Sequence, residues 1–170
     1  RIPYVVVVQY KDDLHLLSDA MRHVARAFYR NAQKVCFVSR HNRQAAERQL
    51  ATRLDNATVV CNPFNLESLE PVAWPDIADK APATLCNMAR LEALYKGQDV
   101  LLQALGEPQW AQTPIRLDIC GSGKDQAYFE ELIQLYGLTD RVKMLGHQND
   151  LRKVWAEHEM LILSSRGEGT

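Results

Sequence analysis

Two cations six positions apart are the strongest chemical signal in the sequence. Arg90 and Lys96 follow an apolar run, and Gly97 comes directly after them. A guanidinium and an ammonium that converge near the start of a helix can neutralise a diphosphate, because both donate charge-assisted hydrogen bonds to phosphate oxygens. Gly97 would let the backbone turn there. Two solvated surface cations would show the same spacing, so both interpretations stay open at this point.

Glycine-containing turns follow the next two apolar runs. Gly121 and Gly123 end one of them, and Gly146 with His147 ends the other. A Gly-x-Gly pair after a strand lets the backbone approach a ligand closely, although a tight turn explains it equally well. A surface loop is the simpler interpretation of His147, because no carboxylate and nucleophile are paired with it. Asp125 is a candidate N-cap for the helix that follows.

A carboxylate flanked by glycines stands near the end of the sequence. Glu168 lies between Gly167 and Gly169, shortly after the apolar run Met160–Leu163. At the carboxyl end of a strand, such a carboxylate can accept hydrogen bonds from ligand hydroxyls, and a flexible turn is the alternative. No His, Cys, Asp and Glu residues stand at metal-ligand spacing, so the sequence predicts neither a metal site nor a cofactor.

These candidates need strands that end at a common edge, and the hydrophobic pattern predicts such strands. Short β-branched runs alternate with segments of helical period, such as Leu14–Tyr29 and Leu151–His158, the latter with Asp150 as its N-cap. The alternation predicts an α/β, Rossmann-like fold with parallel sheets covered on both faces. The predicted strands are Tyr4–Val8, Val35–Val38, Thr58–Cys61, Thr84–Met88, Arg116–Cys120, Val142–Leu145 and Met160–Leu163.

One interruption of the alternation coincides with a change in charge. Residues 62–82 carry four prolines and no clear period, which is typical of a linker. Residues 1–60 hold ten Lys and Arg against five Asp and Glu, a charge of +5, whereas residues 61–170 hold ten against sixteen, a charge of −6. We therefore predict one α/β unit in residues 1–61, a linker at 62–82 and a second unit in 83–170.

Composition argues against a membrane-spanning protein and gives no sign of a polyanionic partner. The net charge is −1 and 46% of the residues are hydrophobic, with no apolar run long enough to span a bilayer. The four cysteines lie in or beside apolar runs without a CxxC pair, which favours reduced thiols and a cytoplasmic location. A start at Arg1 without an initiator Met predicts that the sequence belongs to a longer chain.

In their order along the chain, these motifs resemble family 4 glycosyltransferases, a retaining, nucleotide-sugar-dependent group with the two-domain GT-B fold. The resemblance runs from about Val35 to Thr170, and Arg-x(5)-Lys-Gly and the terminal Ser-x-x-x-Glu-Gly are its most specific elements. It implies a GT-B-type arrangement truncated at both ends. Residues 1–61 would then be the C-terminal part of an acceptor-side domain, and residues 83–170 an incomplete nucleotide-sugar-binding domain.

The resemblance also implies a role for each motif. Arg90 and Lys96 match the cations that neutralise the donor diphosphate, and Glu168 matches a glutamate that contacts hydroxyls of the donor sugar. The donor would be UDP-, GDP- or ADP-linked and bound without a metal, and the acceptor would be a glycan or a lipid-linked acceptor. The positions that match nucleotide-binding residues are Gly97, Gly121, Gly123, Gly146 and His147.

Two features depart from the family pattern. Family members often carry a His at the end of an N-domain strand, where this sequence has Gln9-Tyr10, and His15 lies too far along the chain to be assigned that role. The second Glu of the family's Glu-x(7)-Glu motif would fall eight positions after Glu168, beyond Thr170. As given, the chain is therefore expected to be catalytically incomplete.

The sequence also allows a membrane contact and other activities. Arg22, Arg26 and Arg30 form a stripe opposite the apolar face of the first predicted helix, which is either a solvated face or a contact with an anionic membrane. Nucleic acid is not predicted, because the stripe lacks interleaved aromatic residues. A nucleotide-sugar epimerase and a non-catalytic nucleotide-binding or interaction module are the alternative functions. A dinucleotide dehydrogenase ranks last, because the glycine loop lacks a third glycine.

Overall fold

Two parallel sheets, each in its own unit, organise the part of the chain that the structure describes. The structure is a computed structural model and describes residues 2–13, 16–63, 68, 70–74 and 82–168. The first unit comprises Arg1–Glu67 with Gly167–Thr170, and the second comprises Ser68–Arg166. Both sheets are entirely parallel, which confirms the predicted α/β class. The described residues between 62 and 82 form neither helix nor strand, and the three predicted segment boundaries stay predictions.

The first unit is a three-stranded sheet with two crossover helices. Its strand order is β1-β2-β3, and β-branched residues fill β1 completely, as suits a pleated and half-buried surface. Each parallel pair is joined by a helix, as a crossover between parallel strands requires. The elements are β1 (Val5–Val8), α1 (Asp19–Asn31), β2 (Lys34–Phe37), α2 (Arg40–Leu50) and β3 (Ala57–Val59).

Serine caps fix where the two helices of the first unit begin. The Ser18 hydroxyl accepts a hydrogen bond from the Met21 N–H at 3.4 Å, and the Ser39 hydroxyl accepts one from the Asn42 N–H at 3.2 Å. Helix α1 therefore begins at Asp19, later than the predicted start at residue 14, which lies outside the described residues.

Only one face of the first sheet is covered in the described residues. Val8, Val35 and Phe37 are buried in a single apolar cluster with α2. On the opposite face of β1, Val5 and Val7 are 55% and 61% exposed. The prediction of sheets covered on both faces is therefore wrong for the described part of this unit.

The second unit is a four-stranded sheet in the order β6-β5-β4-β7. The chain enters at β4, proceeds outward through β5 to β6, and then returns to pair β7 on the other side of β4. The strands are β4 (Ala83–Met88), β5 (Ile115–Cys120), β6 (Val142–Gly146) and β7 (Met160–Leu161). The helices are α3 (Ala93–Lys96), α4 (Gln98–Gly106), α5 (Gln126–Leu135) and α6 (Leu151–Glu157), with a 3₁₀ turn at Pro108–Trp110.

Both faces of the second sheet are covered. Alternate residues of its strands point to opposite faces, so Leu117 joins the cluster with Leu102 of α4 and Phe129 of α5. Cys120 joins a smaller cluster with Val154 of α6. The Asp150 carboxylate caps α6 by accepting from the Lys153 N–H at 3.0 Å, as predicted.

A β-bulge interrupts the pairing of β5 with β6 at its carboxyl end. Ile119 is opposite Met144, but the next residue, Cys120, is opposite Gly146. Leu145 is thus an extra residue on β6, and it shifts the face on which the following residues lie.

Candidate functional site

The topology of the second unit creates a crevice at the carboxyl edge of its sheet. Strand order reverses at β4, because β5 and β7 pair with its two sides. The loops that follow neighbouring strands on either side of such a reversal diverge and leave room for a ligand. The loops that directly follow β4, β5 and β6 contain Arg90, the pair Gly121 and Gly123, and His147, respectively, and Gly146 is the last residue of β6.

A cleft of about 340 Å³ lies at this edge. Arg90 from the β4 loop, Gly121 from the β5 loop and His147 from the β6 loop all line it, so the structure brings these three predicted residues together. Its volume falls within the range of small-molecule sites, which is roughly 300–1,000 Å³. Other lining residues are Ala89, Ser122 and Gln148.

The glycine loop packs directly against the loop that carries Arg90. A Cβ added to Gly121 would collide with the Ala89 carbonyl oxygen, and one added to Gly123 would collide with the Leu91 backbone. The Leu91 N–H donates to the Ser122 carbonyl at 3.1 Å across the same contact. The glycines therefore let two protein loops approach each other, and the close approach of this backbone to a ligand stays a prediction.

Arg90 belongs to a small charged network at the cleft. Its side chain is 75% exposed, and its guanidinium lies 3.8 Å from the carboxylate of Glu92, which is only 19% exposed. The Lys124 ammonium lies 3.1 Å from the other oxygen of that carboxylate. The hydrogen bond to Glu92 raises the pKa of the Lys124 ammonium. Glu92 thus holds two cations beside the cleft without neutralising both of them.

Lys96 lies on a separate element from Arg90. It is the last residue of α3, a single turn that follows the Arg90 loop. Gly97 follows it with a φ of 63°, and a Cβ there would collide with the Ser164 carbonyl oxygen. The Ser164 hydroxyl donates to the Lys96 carbonyl at 3.0 Å. The predicted strand-to-helix loop is therefore a loop, a one-turn helix and a glycine link to α4.

Asp125 caps a different helix from the predicted one. It precedes α5 but makes no side-chain cap hydrogen bond to it. Instead, its carboxylate accepts a hydrogen bond at 2.8 Å from the N–H of Ala93, the first residue of α3. The prediction that Asp125 caps the following helix is therefore wrong. The fold brings the start of α3 within hydrogen-bond distance of its carboxylate, which caps α3 instead of α5.

The turn after β6 joins the glycine loop through the backbone. The Gly121 N–H donates to the Gly146 carbonyl at 2.7 Å. Gly146 has a φ of 68°, which a side chain would disfavour, although no neighbouring atom lies where a Cβ would be. His147 is exposed at the cleft.

Glu168 is the one predicted site residue that does not belong to the second unit. It belongs to the segment Gly167–Thr170, which groups with the first unit. Its proposed contact with a donor sugar stays a prediction. Where family members often carry a His at the end of an N-domain strand, Gln9 and Tyr10 lie just after β1, and His15 lies outside the described residues.

The arginine stripe of α1 makes contacts within the first unit. The Arg22 guanidinium donates to the Leu17 carbonyl at 3.1 Å, and the Arg26 guanidinium donates to the Leu50 carbonyl. Arg30 donates to the Thr52 hydroxyl. The stripe is therefore neither fully solvated nor turned away from the protein, and membrane contact stays a prediction.

Several residues that sequence reasoning missed support the site. Gln98 is completely buried, and its amide donates to the Arg90 carbonyl at 2.9 Å. The Arg166 guanidinium contacts both oxygens of Asp99 at 2.7 Å. Asp99 follows the Lys-Gly motif closely, but nothing in the sequence shows that Arg166, more than sixty residues later, is its partner. Nor does any sequence motif mark Glu92 as the partner of Arg90 and Lys124.

The cysteines provide no nucleophile at the site. All four are free, and burial raises the pKa of the Cys86 thiol to about 11. Burial also raises the pKa of the Cys120 thiol at the cleft, which keeps it protonated near neutral pH. Among the described residues, no group of three or more His, Cys, Asp and Glu side chains could hold a metal ion. Within those residues, every helix is too short or too polar to cross a bilayer.

The two α/β units, each with a parallel sheet, have the fold of GT-B glycosyltransferases, to which the structural neighbours belong. The chain itself belongs to the glycosyl transferases group 1 family, whose model matches residues 74–170, more than half of the chain. No curated protein sequence matches it.

Solved structures of similar fold include three with UDP. HepE from Anabaena, with UDP and glucose, is 22% identical at a TM-score of 0.66, over 96% of this chain and 46% of HepE. A TarM mutant from S. aureus, with Fondaparinux, alpha-GlcNAc-glycerol and UDP, is 14% identical at a TM-score of 0.76, over 99% and 33%. The pneumococcal O-GlcNAc transferase GtfA, with UDP and GlcNAc, is 18% identical at a TM-score of 0.66, over 98% and 34%. The chain thus spans one third to one half of the length of these proteins.

Proposed function

We propose that the full-length protein is a retaining glycosyltransferase of the hexosyltransferase type. It moves a sugar from a nucleoside-diphosphate donor to a glycan or lipid-linked acceptor. The cleft that Arg90, Gly121 and His147 line at the switch point of the second sheet carries this proposal. Family membership and the UDP named with three structural neighbours support it.

The proposed chemistry is electrostatic. Breaking the bond between the sugar and the diphosphate leaves negative charge on the leaving oxygen, and fixed cations stabilise that charge in the transition state. Arg90 at the cleft and Lys96 at the end of α3 supply the cations in this proposal. Glu168 would accept hydrogen bonds from hydroxyls of the donor sugar. Gly97, Gly121, Gly123, Gly146 and His147 would shape the nucleotide site.

The proposal requires neither a metal nor a cofactor. The two cations neutralise the charge of the diphosphate, for which other enzymes use Mg²⁺. Lys124, paired with Glu92, is a third cation beside the cleft. Transfer activity that survives exhaustive treatment with EDTA is the expected result. Loss of activity that Mg²⁺ restores would contradict this part of the proposal.

We also propose that the protein works in the cytoplasm, on donors made there. The four free cysteines support this location, because thiols persist in a reducing compartment. If the acceptor is lipid-linked, Arg30 is the member of the α1 stripe best placed for a peripheral membrane contact. It is exposed, and its described partner is a neutral hydroxyl.

Nucleotide binding tests the proposal directly. The full-length protein is heated with UDP, GDP or ADP, and a ligand at one hundred times its Kd should add about 2.7 kcal/mol to the free energy of unfolding. Arg90→Ala should remove most of the shift. Arg116→Ala is the matched control, because Arg116 is an exposed cation at the opposite end of β5.

The products then separate the candidate activities. Release of nucleoside diphosphate together with a glycosylated acceptor supports the transferase. An epimerised donor without transfer would indicate the epimerase. No shift with any of the three nucleotides would favour a non-catalytic interaction module and contradict the proposal.

A further inference from the structure

The helix that carries Lys96 is too short to hold its own position. Helix α3 has four residues, which is a single turn, and one turn of helix is unstable in isolation because nucleation fixes several residues for one hydrogen bond. The direction of the Lys96 side chain therefore depends on what α3 contacts. The structure gives it specific partners at both of its ends.

At its N-terminal end, α3 is held by the residue that follows the glycine loop. The Asp125 carboxylate accepts from the Ala93 N–H at 2.8 Å, which satisfies a backbone donor that no residue of the helix can satisfy. The Asp125 N–H donates to the Leu91 carbonyl at 3.2 Å, so the same residue also ties down the loop between Arg90 and α3. A carboxylate at this end is further favoured by the partial positive charge of the helix terminus.

At its C-terminal end, α3 is held by the segment that follows β7. The Arg166 N–H donates to the Tyr95 carbonyl at 2.8 Å, directly before Lys96. Its guanidinium also donates at 2.5 Å to the carbonyl of Ala93, the first residue of the turn. That guanidinium is fixed in turn by the bidentate contact with Asp99 on α4. Bidentate pairs of this kind set orientation as well as attraction.

We propose that Asp125 and Arg166 are positioning residues that act through Lys96. Resting on the proposed function, this inference adds that they set the affinity of the site for the diphosphate. Asp125 fixes the start of α3, and Arg166, held by Asp99, contacts both that start and Tyr95 near its end. The glycine loop and the segment after β7 are thereby coupled to one ammonium group. Neither residue contacts the ligand in this proposal.

A double-mutant cycle tests this coupling in the full-length protein. The probe is the nucleoside diphosphate, among UDP, GDP and ADP, that binds most tightly, and its Kd is measured by calorimetry. Asp125→Ala and Arg166→Ala should each weaken binding about tenfold, because small misplacements of a charged group are costly. In a Lys96→Ala background, the same two changes should have almost no further effect. Asp125→Asn keeps an acceptor oxygen and should restore most of the affinity.

The outcomes separate this inference from the proposed function. If Lys96→Ala leaves the Kd unchanged, the proposed role of Lys96 is wrong. If Lys96→Ala weakens binding but the other two variants do not, only the positioning role is wrong. Losses that simply add in the Lys96→Ala background would also overturn the positioning role. Should Arg166→Ala fail to fold, Arg166→Lys and Asp99→Asn weaken the same contact more gently and are judged by the same cycle.

Discussion

The two units differ in how completely their sheets are covered. In the second unit, α4 and α5 pack on one face and α6 on the other, and the edge of that sheet carries the cleft. In the described part of the first unit, both helices pack on one face, and Val5 and Val7 remain exposed on the other. A site that depends on backbone placed to within fractions of an ångström is better built on a sheet fixed from both sides.

Truncation of an apolar side chain at the sheet should destabilise the second unit much more than the first, and this is the largest difference expected between them. Phe129 is fully buried between α5 and the second sheet, so Phe129→Ala should lower the free energy of unfolding by about 3–5 kcal/mol. Val7→Ala in the first unit should change it by less than about 0.5 kcal/mol, because Val7 is largely exposed. Chemical denaturation of the full-length protein measures both values. Equal losses would show that Val7 is covered in the full-length protein.

Removal of a cation should lower activity when the cation belongs to the second unit but not when it belongs to the first. Arg90→Ala should lower kcat/KM by an amount equivalent to about 3–4 kcal/mol, because the transition state loses a fixed positive charge. Arg53→Ala in the first unit is the matched change, since Arg53 is an exposed cation paired with Glu47. It should leave kcat/KM unchanged. Steady-state kinetics with the identified donor provide the measurement, and equal effects would contradict the assignment of the site to the second unit.

Two glycine replacements distinguish close packing from backbone conformation. Gly123→Ala places a methyl group on the Leu91 backbone and should cost about 2–3 kcal/mol of stability. Gly146→Ala meets no atom within 4 Å and should cost about 1 kcal/mol, from its φ of 68° alone. Thermal unfolding measures both variants. A larger loss for Gly146→Ala would mean that the two loops can separate easily.

The smallest expected effect concerns acid stability. The hydrogen bond from Arg166 lowers the pKa of the Asp99 carboxyl in the folded protein. A lowered pKa means that the stabilisation is present above the unfolded-state value, about 3.9, and is lost as the pH falls through the folded-state value. Asp99→Asn should therefore flatten the decline of stability below about pH 4. Urea denaturation between pH 3 and pH 7 tests this, and an unchanged slope would contradict it.

Periodicity predicted most of the architecture, because strand and helix patterns are local properties of the sequence. All seven predicted strands exist, although β7 comprises only Met160–Leu161. The predicted start of α1 is too early, because the apolar spacing continues on the N-terminal side of the Ser18 cap. The uncovered face of the first sheet could not be predicted, because coverage depends on residues distant in sequence.

The site was predictable only in part. Arg90, Gly121 and His147 meet because parallel strands end at one edge, which is a topological consequence of the pattern. The partners that support them could not be inferred. Asp125 bonds to a residue 32 positions away, and Arg166 to one 67 positions away. Such pairings follow from the packing of loops, for which a single sequence carries no periodic signal.

The bulge at Leu145 has a consequence for how this site tolerates changes in length. Because Cys120 is already opposite Gly146, Leu145 is a residue that the pairing can lose without moving the glycine turn. Deletion of Leu145 would place Met144 and Gly146 opposite Ile119 and Cys120 in regular register, so His147 would still follow the glycine turn at the cleft.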